Sequence, residues 1–248
     1  MAGHNKWSKV KHIKAVVDAK KGKVFSKLAK ELTLAAKHGG SSPDINARLR
    51  SAILNARAVN MPSDNIERAI KKGAGELEGA ALEEIVYEGY GHGGVALLVE
   101  VVTDNRNRSV NDMRVIMSKN GGTFADAGSV SYLFLRRGEI RLDKGHLNED
   151  GAMELALDAG GEDMVDDGDD WVIYTAVDKL FAVGGALQAK GAAPKSQHLI
   201  YQPSTTVTLT DEATARAFLK LYDALEDYDD TQHVHSNFAI ADEIADRL

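Results

Sequence analysis

The residues best suited to chemistry open the chain, in Gly3-His4-Asn5-Lys6-Trp7-Ser8-Lys9-Val10-Lys11-His12-Ile13-Lys14. Lys6, Lys9, Lys11 and Lys14 bring charge to phosphates and displace counterions, while Trp7, His4 and His12 offer flat faces for stacking on exposed bases. The plainer reading is a solvated basic tail with Trp7 docked on its own domain. Binding is favoured because the charge continues through Lys20, Lys21, Lys23, Lys27 and Lys30. Basic residues interleaved with an aromatic suit RNA or single strands at least as well as a major groove.

A second candidate is Asp104-Asn105-Arg106-Asn107-Arg108, where a predicted strand runs into a predicted helix. Arg106 and Arg108 at a helix N-terminus oppose the macrodipole, but together with backbone N–H groups they can hold an anion such as a phosphate. The competing reading pairs them with Asp104, Asp112 or other surface acids. A third set, Arg48, Arg50, Asn55 and Arg57, lies on one predicted helix and would be the face presented to base edges if the ligand were duplex DNA.

Other motifs weaken on inspection. The loop Gly89-Tyr90-Gly91-His92-Gly93-Gly94 precedes a strand instead of opening a helix, so it reads as a tight turn and not a dinucleotide fingerprint. The acidic run 162–170 lacks EF-hand spacing and reads as a solvated hairpin. His233 and His235 alternate onto one strand face without a third ligand nearby and read as a surface pair. No nucleophile elbow or paired-carboxylate site is present, so the expectation is a protein that is not an enzyme and needs no cofactor or metal.

Charge is divided sharply along the chain. Residues 1–72 hold sixteen Lys and Arg against five Asp and Glu, a net of +11, which leaves fourteen against thirty-two, or −18, for residues 73–248. Such a split points to a polyanion-binding module on an acidic body. The absence of cysteine excludes disulfides, thiolate nucleophiles and Cys-ligated metals. The longest apolar run, 95–99, is far too short to span a bilayer, so a cytoplasmic protein with no membrane partner is expected.

The elements that must position these residues follow from hydrophobic period. Phe25, Leu28, Ala29, Leu32, Ala35 and Ala36 mark a helix stopped at Gly39-Gly40; residues 45–59 form a second, with Leu49, Ala52, Ile53 and Ala56 inward; Ser63 caps a third carrying Ile66, Ala69 and Ile70. A glycine-rich acidic linker, 73–84, changes both charge sign and period. Strands are expected at 85–88 and 95–102, a helix at 107–119, and a strand region up to 136. Residues 139–201 then read β-α-β-β-α-β, the split βαβ or ferredoxin-like order, and strand 205–209, helix 212–225 and strand 232–235 supply the missing β-α-β half of the interrupted domain. The expected fold class is therefore multidomain, α plus α/β. It has a basic helical domain (1–75), a discontinuous domain (80–133 plus 205–248) and an inserted one (134–204), the last two ferredoxin-like.

In combination, Met1-Ala2-Gly3-His4-Asn5-Lys6-Trp7, Asp18-Ala19-Lys20-Lys21-Gly22-Lys23, Tyr87-Glu88-Gly89-Tyr90-Gly91, Asp104-Asn105-Arg106-Asn107-Arg108, Gly121-Gly122 and Gly128-Ser129-Val130 resemble the YebC family over nearly the full length. The resemblance implies a three-domain protein and a probable transcriptional regulator that binds DNA. It also implies kinship with the mitochondrial translational activator of cytochrome c oxidase subunit I and a link to ribosomes stalled on proline-rich nascent chains. Asn5 stands where the family usually has Ser, Ser109 where it has Thr, and His92 where Pro is common, a change expected to loosen the glycine loop.

The leading expectation is a nucleic-acid-binding regulator of gene expression whose partner is DNA, ribosomal RNA or the ribosome. The lysine-rich opening favours RNA on physical grounds, and the family's usual label favours DNA. Two alternatives belong to other classes: a phosphate- or small-ligand-binding ferredoxin-like protein using Arg106 and Arg108, and an acidic docking module for a basic partner. Oligomeric state is left open, a monomer included.

Overall fold

The computed structural model describes residues 18–145 and 147–248, with side chains described from residue 22 onward. The chain divides into two compact units. One holds residues 80–135 and 201–248, with the opening of the first helix through Lys23; the other holds 24–79 and 136–200.

In the second unit, helices α1 (Asp18–Gly39), α2 (Ala47–Ala58) and α3 (Ser63–Gly73) close around Leu32, Ala35, Leu49, Ala52, Ala56, Met61, Ile66 and Ala69. These are the positions that the 3.6-residue period assigns to the inner faces. Two helix starts differ from the sequence expectation. Helix α2 begins after Asn46, and Ile45 is 82% exposed. Asn46 is buried; its side chain accepts from the Leu49 N–H at 2.9 Å and donates to the carbonyls of Ala35 and Gly40, each at 2.7 Å. One amide thus caps α2 and pins the end of α1, satisfying groups that would otherwise be orphaned. Ser63 is the first residue of α3 and not its cap; Pro62 holds the cap position and has no side-chain group to bond the free N–H groups.

Helix α3 lies hard against α1 at Gly73, where a Cβ would collide with the Thr33 carbonyl oxygen and come within 2.8 Å of the Ala36 methyl. The Thr33 hydroxyl donates to Ala29 O at 2.8 Å and lies 3.1 Å from Ala69 O, tying the same crossing. Gly73 is required for closeness of approach.

The same unit contains a four-stranded sheet whose order is β5 (Asp163–Asp167), β6 (Asp170–Thr175), β4 (Phe134–Asp143), β7 (Ser196–Pro203). Helices α5 (Glu149–Asp158) and α6 (Leu180–Ala189) pack on it through Ala152, Ala156, Leu180, Val183 and Leu187 against Ile140, Leu142, Ile173 and Trp171. Strand β4 starts five residues earlier than the sequence indicated, directly after a 3-10 turn at Ser131–Leu133.

In the first unit, β1 (Glu83–Tyr90) and β2 (Ala96–Thr103) form an antiparallel hairpin paired from Glu83↔Thr103 to Tyr90↔Ala96. Strands β3 (Thr123–Ala125) and β9 (Thr231–Ser236) flank it in the order β3-β1-β2-β9. One face packs Leu97, Val99 and Val101 against Met113 and Met117 of α4 (Arg106–Lys119) and Phe218, Leu221 and Leu225 of α7 (Glu212–Glu226). On the other face, Ala96 and Leu98 meet Val130 and Phe134. Strand β2 is buried on both faces, so apolar residues run along it without alternation, interrupted only by Glu100 before Thr103 ends it.

One expected strand takes a different partner. Strand β8 (Val207–Leu209) does not join the sheet; it pairs in parallel with β10 (Phe238–Ile240), a strand the sequence reading did not identify. Three residues are too few to show a period, so the pairing was invisible in the sequence. The chain ends in a short helix, α8 (Asp242–Ala245), making eight helices among the described residues.

Candidate nucleic-acid interface

The opening constellation, His4, Lys6, Trp7, Lys9, Lys11, His12 and Lys14, lies outside the described residues. Lys20 and Lys21 are on the first turns of α1. Farther along the helix, Lys27 is half-buried, and Lys23 Nζ lies 2.9 Å from the Asp227 carbonyl and 3.2 Å from its carboxylate.

The set on α2 is not presented as one face. Arg48 grips Glu31 of α1 through two parallel bonds of 2.8 and 3.0 Å. Asn55 donates to the Gln197 carbonyl at 3.2 Å, and Arg50 turns back to the carbonyls of Pro43 and Asp44. Arg57, in the last turn, is exposed. Three of the four side chains that would have met base edges therefore hold the fold together. Arg68 and Lys71, exposed on α3, extend the basic surface beyond the residues singled out in the sequence.

At the β2–α4 junction, Asn105 caps the helix by accepting from the Arg108 N–H at 3.0 Å. The Arg108 guanidinium donates to Asp230 at 2.8 Å and Asp104 at 2.9 Å. Asp230 is 8% exposed and also accepts from the Thr103 hydroxyl at 2.8 Å. The Tyr228 hydroxyl donates to Asp112 at 3.0 Å; burial first, and then that bond, push its pKa up to about 12. Hydrogen bonds to Asp230, Tyr228 and Asp104 raise the Arg108 pKa, so its charge is permanent and already balanced by carboxylates. Arg106 is exposed and makes no hydrogen bond or ion pair among the described residues. The pair named from the sequence is thus split between an engaged arginine and an open one.

The remaining motifs find structural roles. In the glycine loop, His92 Nε2 meets the Asn120 carbonyl at 2.8 Å, tethering the β1–β2 turn to the end of α4. Gly121, at φ +73°, leaves room for that ring, since a Cβ there would lie 2.5 Å from it. The histidine supplies a bond where proline would supply stiffness. The acidic hairpin is ion-paired and not simply solvated: Asp167 binds Arg141 at 2.8 Å and Asp166 binds Lys144 at 2.6 Å. His235 is not a surface residue; its side chain is 11% exposed, and Nε2 lies 2.6 Å from Glu100. No group of three metal-ligating side chains occurs among the described residues, and no described helix is long and apolar enough to cross a membrane.

A feature the sequence reading missed lies behind the Gly128-Ser129-Val130 segment. The carboxylate of Glu88, 6% exposed on β1, accepts backbone N–H bonds from Gly128 (2.8 Å), Val130 (2.6 Å) and Ser131 (3.0 Å). Burial raises its pKa, but the three donors outweigh that and hold it below the ordinary value. The signal in the sequence was a lone glutamate at a strand position whose neighbours are apolar.

Comparison with known proteins agrees over the whole length. Residues 5–76 match the TACO1/YebC protein N-terminal domain, and residues 82–238 match the TACO1/YebC second and third domain. A probable transcriptional regulatory protein of Syntrophobacter fumaroxidans is 50% identical over 248 residues, and one of Akkermansia muciniphila is 52% identical over 251; each alignment covers all of both chains. The crystal structure of a conserved hypothetical protein, Aq1575, from Aquifex aeolicus superimposes with a TM-score of 0.87 at 45% identity, covering 93% of this chain and 95% of that one. The chain belongs to the TACO1/YebC family.

Proposed function

We propose that this protein is a non-enzymatic, cytoplasmic regulator of gene expression that binds RNA through its basic N-terminal domain and acts on the ribosome. The observation that carries this reading is the charge split, +11 over residues 1–72 on a body of −18, with lysines and Trp7 interleaved at the start. An acidic body repels polyanions over most of its surface, which makes the basic domain the main contact. The internal engagement of Arg48, Arg50 and Asn55 supports the lysine-rich segment over a base-reading helix as the main contact. In this reading the chain has a basic domain at 1–75, a discontinuous α/β domain at 80–133 plus 205–248, and an inserted ferredoxin-like domain at 134–204. The strand order β5-β6-β4-β7 supports the last assignment.

A second reading, sequence-dependent binding to duplex DNA, is favoured by the name its relatives carry, probable transcriptional regulatory protein. Competition separates the two. The purified protein is bound to ribosomes and challenged with excess duplex DNA at physiological salt. Retention on ribosomes is expected, and transfer to DNA in a sequence-dependent manner would overturn the RNA reading.

A further inference from the structure

Helix α4 carries four of the fourteen cations in residues 73–248, Arg106, Arg108, Arg114 and Lys119, against one acid, Asp112. The acid is accounted for, since Asp112 accepts from the Tyr228 hydroxyl at 3.0 Å. Arg108 is balanced by Asp104 and Asp230. The helix buries Ser109, Met113 and Met117 and exposes Arg106, Asn107, Arg108, Asn111, Arg114, Val115, Ser118 and Lys119. At 100° per residue all of these but Arg106 fall on one continuous arc. That arc holds three cations, of which Arg108 is already paired, two amides and a hydroxyl, and the helix's one acid, half-buried Asp112, lies just past its edge.

Arg114 has a further property. Its guanidinium stands 5.2 Å from the centre of the Phe124 ring on β3. Stacking on an aromatic face orients the fork without neutralising it, so its N–H groups remain available to an incoming anion. Neither Arg114 nor Lys119 makes an ion pair among the described residues. On a body of net −18, a helix face so rich in cations with a pre-set arginine requires an explanation, because scattered solubilising charge would be of mixed sign.

We propose that the solvent face of α4 is a second RNA-binding surface, separate from the N-terminal domain. Arg114 and Lys119 contact backbone phosphates, and Asn107 and Asn111 donate to phosphate or ribose oxygens. This rests on the RNA reading of the protein and deepens it: the α/β body contributes directly to RNA binding.

The test uses the full-length protein and labelled oligouridine, with duplex DNA of equal length as a second probe, across a salt series. Two variants probe the face: Arg114→Gln with Lys119→Gln, which removes charge, and Asn111→Glu, which replaces an amide donor with a repelling carboxylate. Lys6→Ala with Lys9→Ala probes the N-terminal domain. Removing two phosphate contacts is expected to make the slope of log K against log salt shallower by roughly 1.4, at about 0.7 per phosphate on a single strand. Asn111→Glu is expected to weaken oligouridine binding with an unchanged melting temperature. If both α4 variants bind as wild type while the N-terminal variant fails, the proposal is overturned and the RNA reading stands. If no variant alters binding, both fall. A loss confined to duplex DNA would also overturn it.

Discussion

Replacing Glu88 with glutamine tests the electrostatic logic of the α/β body with almost no change in shape. In the wild type, one carboxylate oxygen accepts from Gly128 and the other from Val130 and Ser131, all within 3.0 Å. Glutamine has one acceptor oxygen. If it stays with Val130 and Ser131, its NH2 group faces the Gly128 N–H, leaving two donors opposed in a site that is 6% exposed. An unsatisfied buried donor costs about 1–3 kcal/mol, and the surviving bonds lose their charge assistance, so a total near 3 kcal/mol is expected. The cost depends on pH in a defined sense. Because the folded pKa lies below the ordinary value, the carboxylate's contribution is complete above about 4.3 and disappears as pH falls through the folded value. Urea denaturation of both proteins at neutral pH and at successively lower pH measures the gap, and hydrogen exchange at Gly128, Val130 and Ser131 reports it locally. The gap should close on acidification, with faster exchange at those amides in Glu88→Gln at neutral pH. Equal stability at neutral pH, or a gap that does not change with pH, would refute the argument.

Three further outcomes are expected. Asn46→Ala removes the cap of α2 and two bonds to the end of α1, and should lower stability by about 2–3 kcal/mol in the same denaturation assay. Gly73→Ala places a methyl against the Thr33 carbonyl and should cost about 1–3 kcal/mol by forcing α3 from α1, seen as a lower melting temperature. Arg48→Ala breaks a half-exposed pair with Glu31 and should cost about 1 kcal/mol or less, leaving oligouridine affinity nearly unchanged because that arginine is already spoken for.

What the sequence revealed and what it concealed divide along the range of the interactions. The inner faces of α1–α3 were legible because Leu32, Leu49, Ala52 and Ile66 recur at helical spacing. Strand β2 was legible as an apolar run broken only by Glu100. Features joining distant residues were not. The Arg48–Glu31 fork spans two helices, and His235 reaches Glu100 diagonally across the β2–β9 pairing, in which Leu98 faces His235 and Glu100 faces His233. Period alone placed Ile45 inside a helix; the buried Asn46 side chain, bonded in three directions, starts the helix later. The candidate interface was legible as charge, since a count of Lys and Arg needs no structure. Which of those cations are already paired is a tertiary property, and it separates Arg48 and Arg108 from Arg57, Arg106 and Arg114.

The central claim is that the lysines and Trp7 of the opening segment bind RNA. The most direct measurement is equilibrium binding of full-length wild type and of Lys6→Ala, Trp7→Ala, Lys9→Ala combined in one chain to purified ribosomes, with duplex DNA as competitor. The account predicts wild-type binding that survives the competitor, weakens steeply with salt and is largely lost in the triple variant. Ribosome binding by the triple variant equal to wild type, or wild-type protein drawn fully onto the duplex, would contradict it.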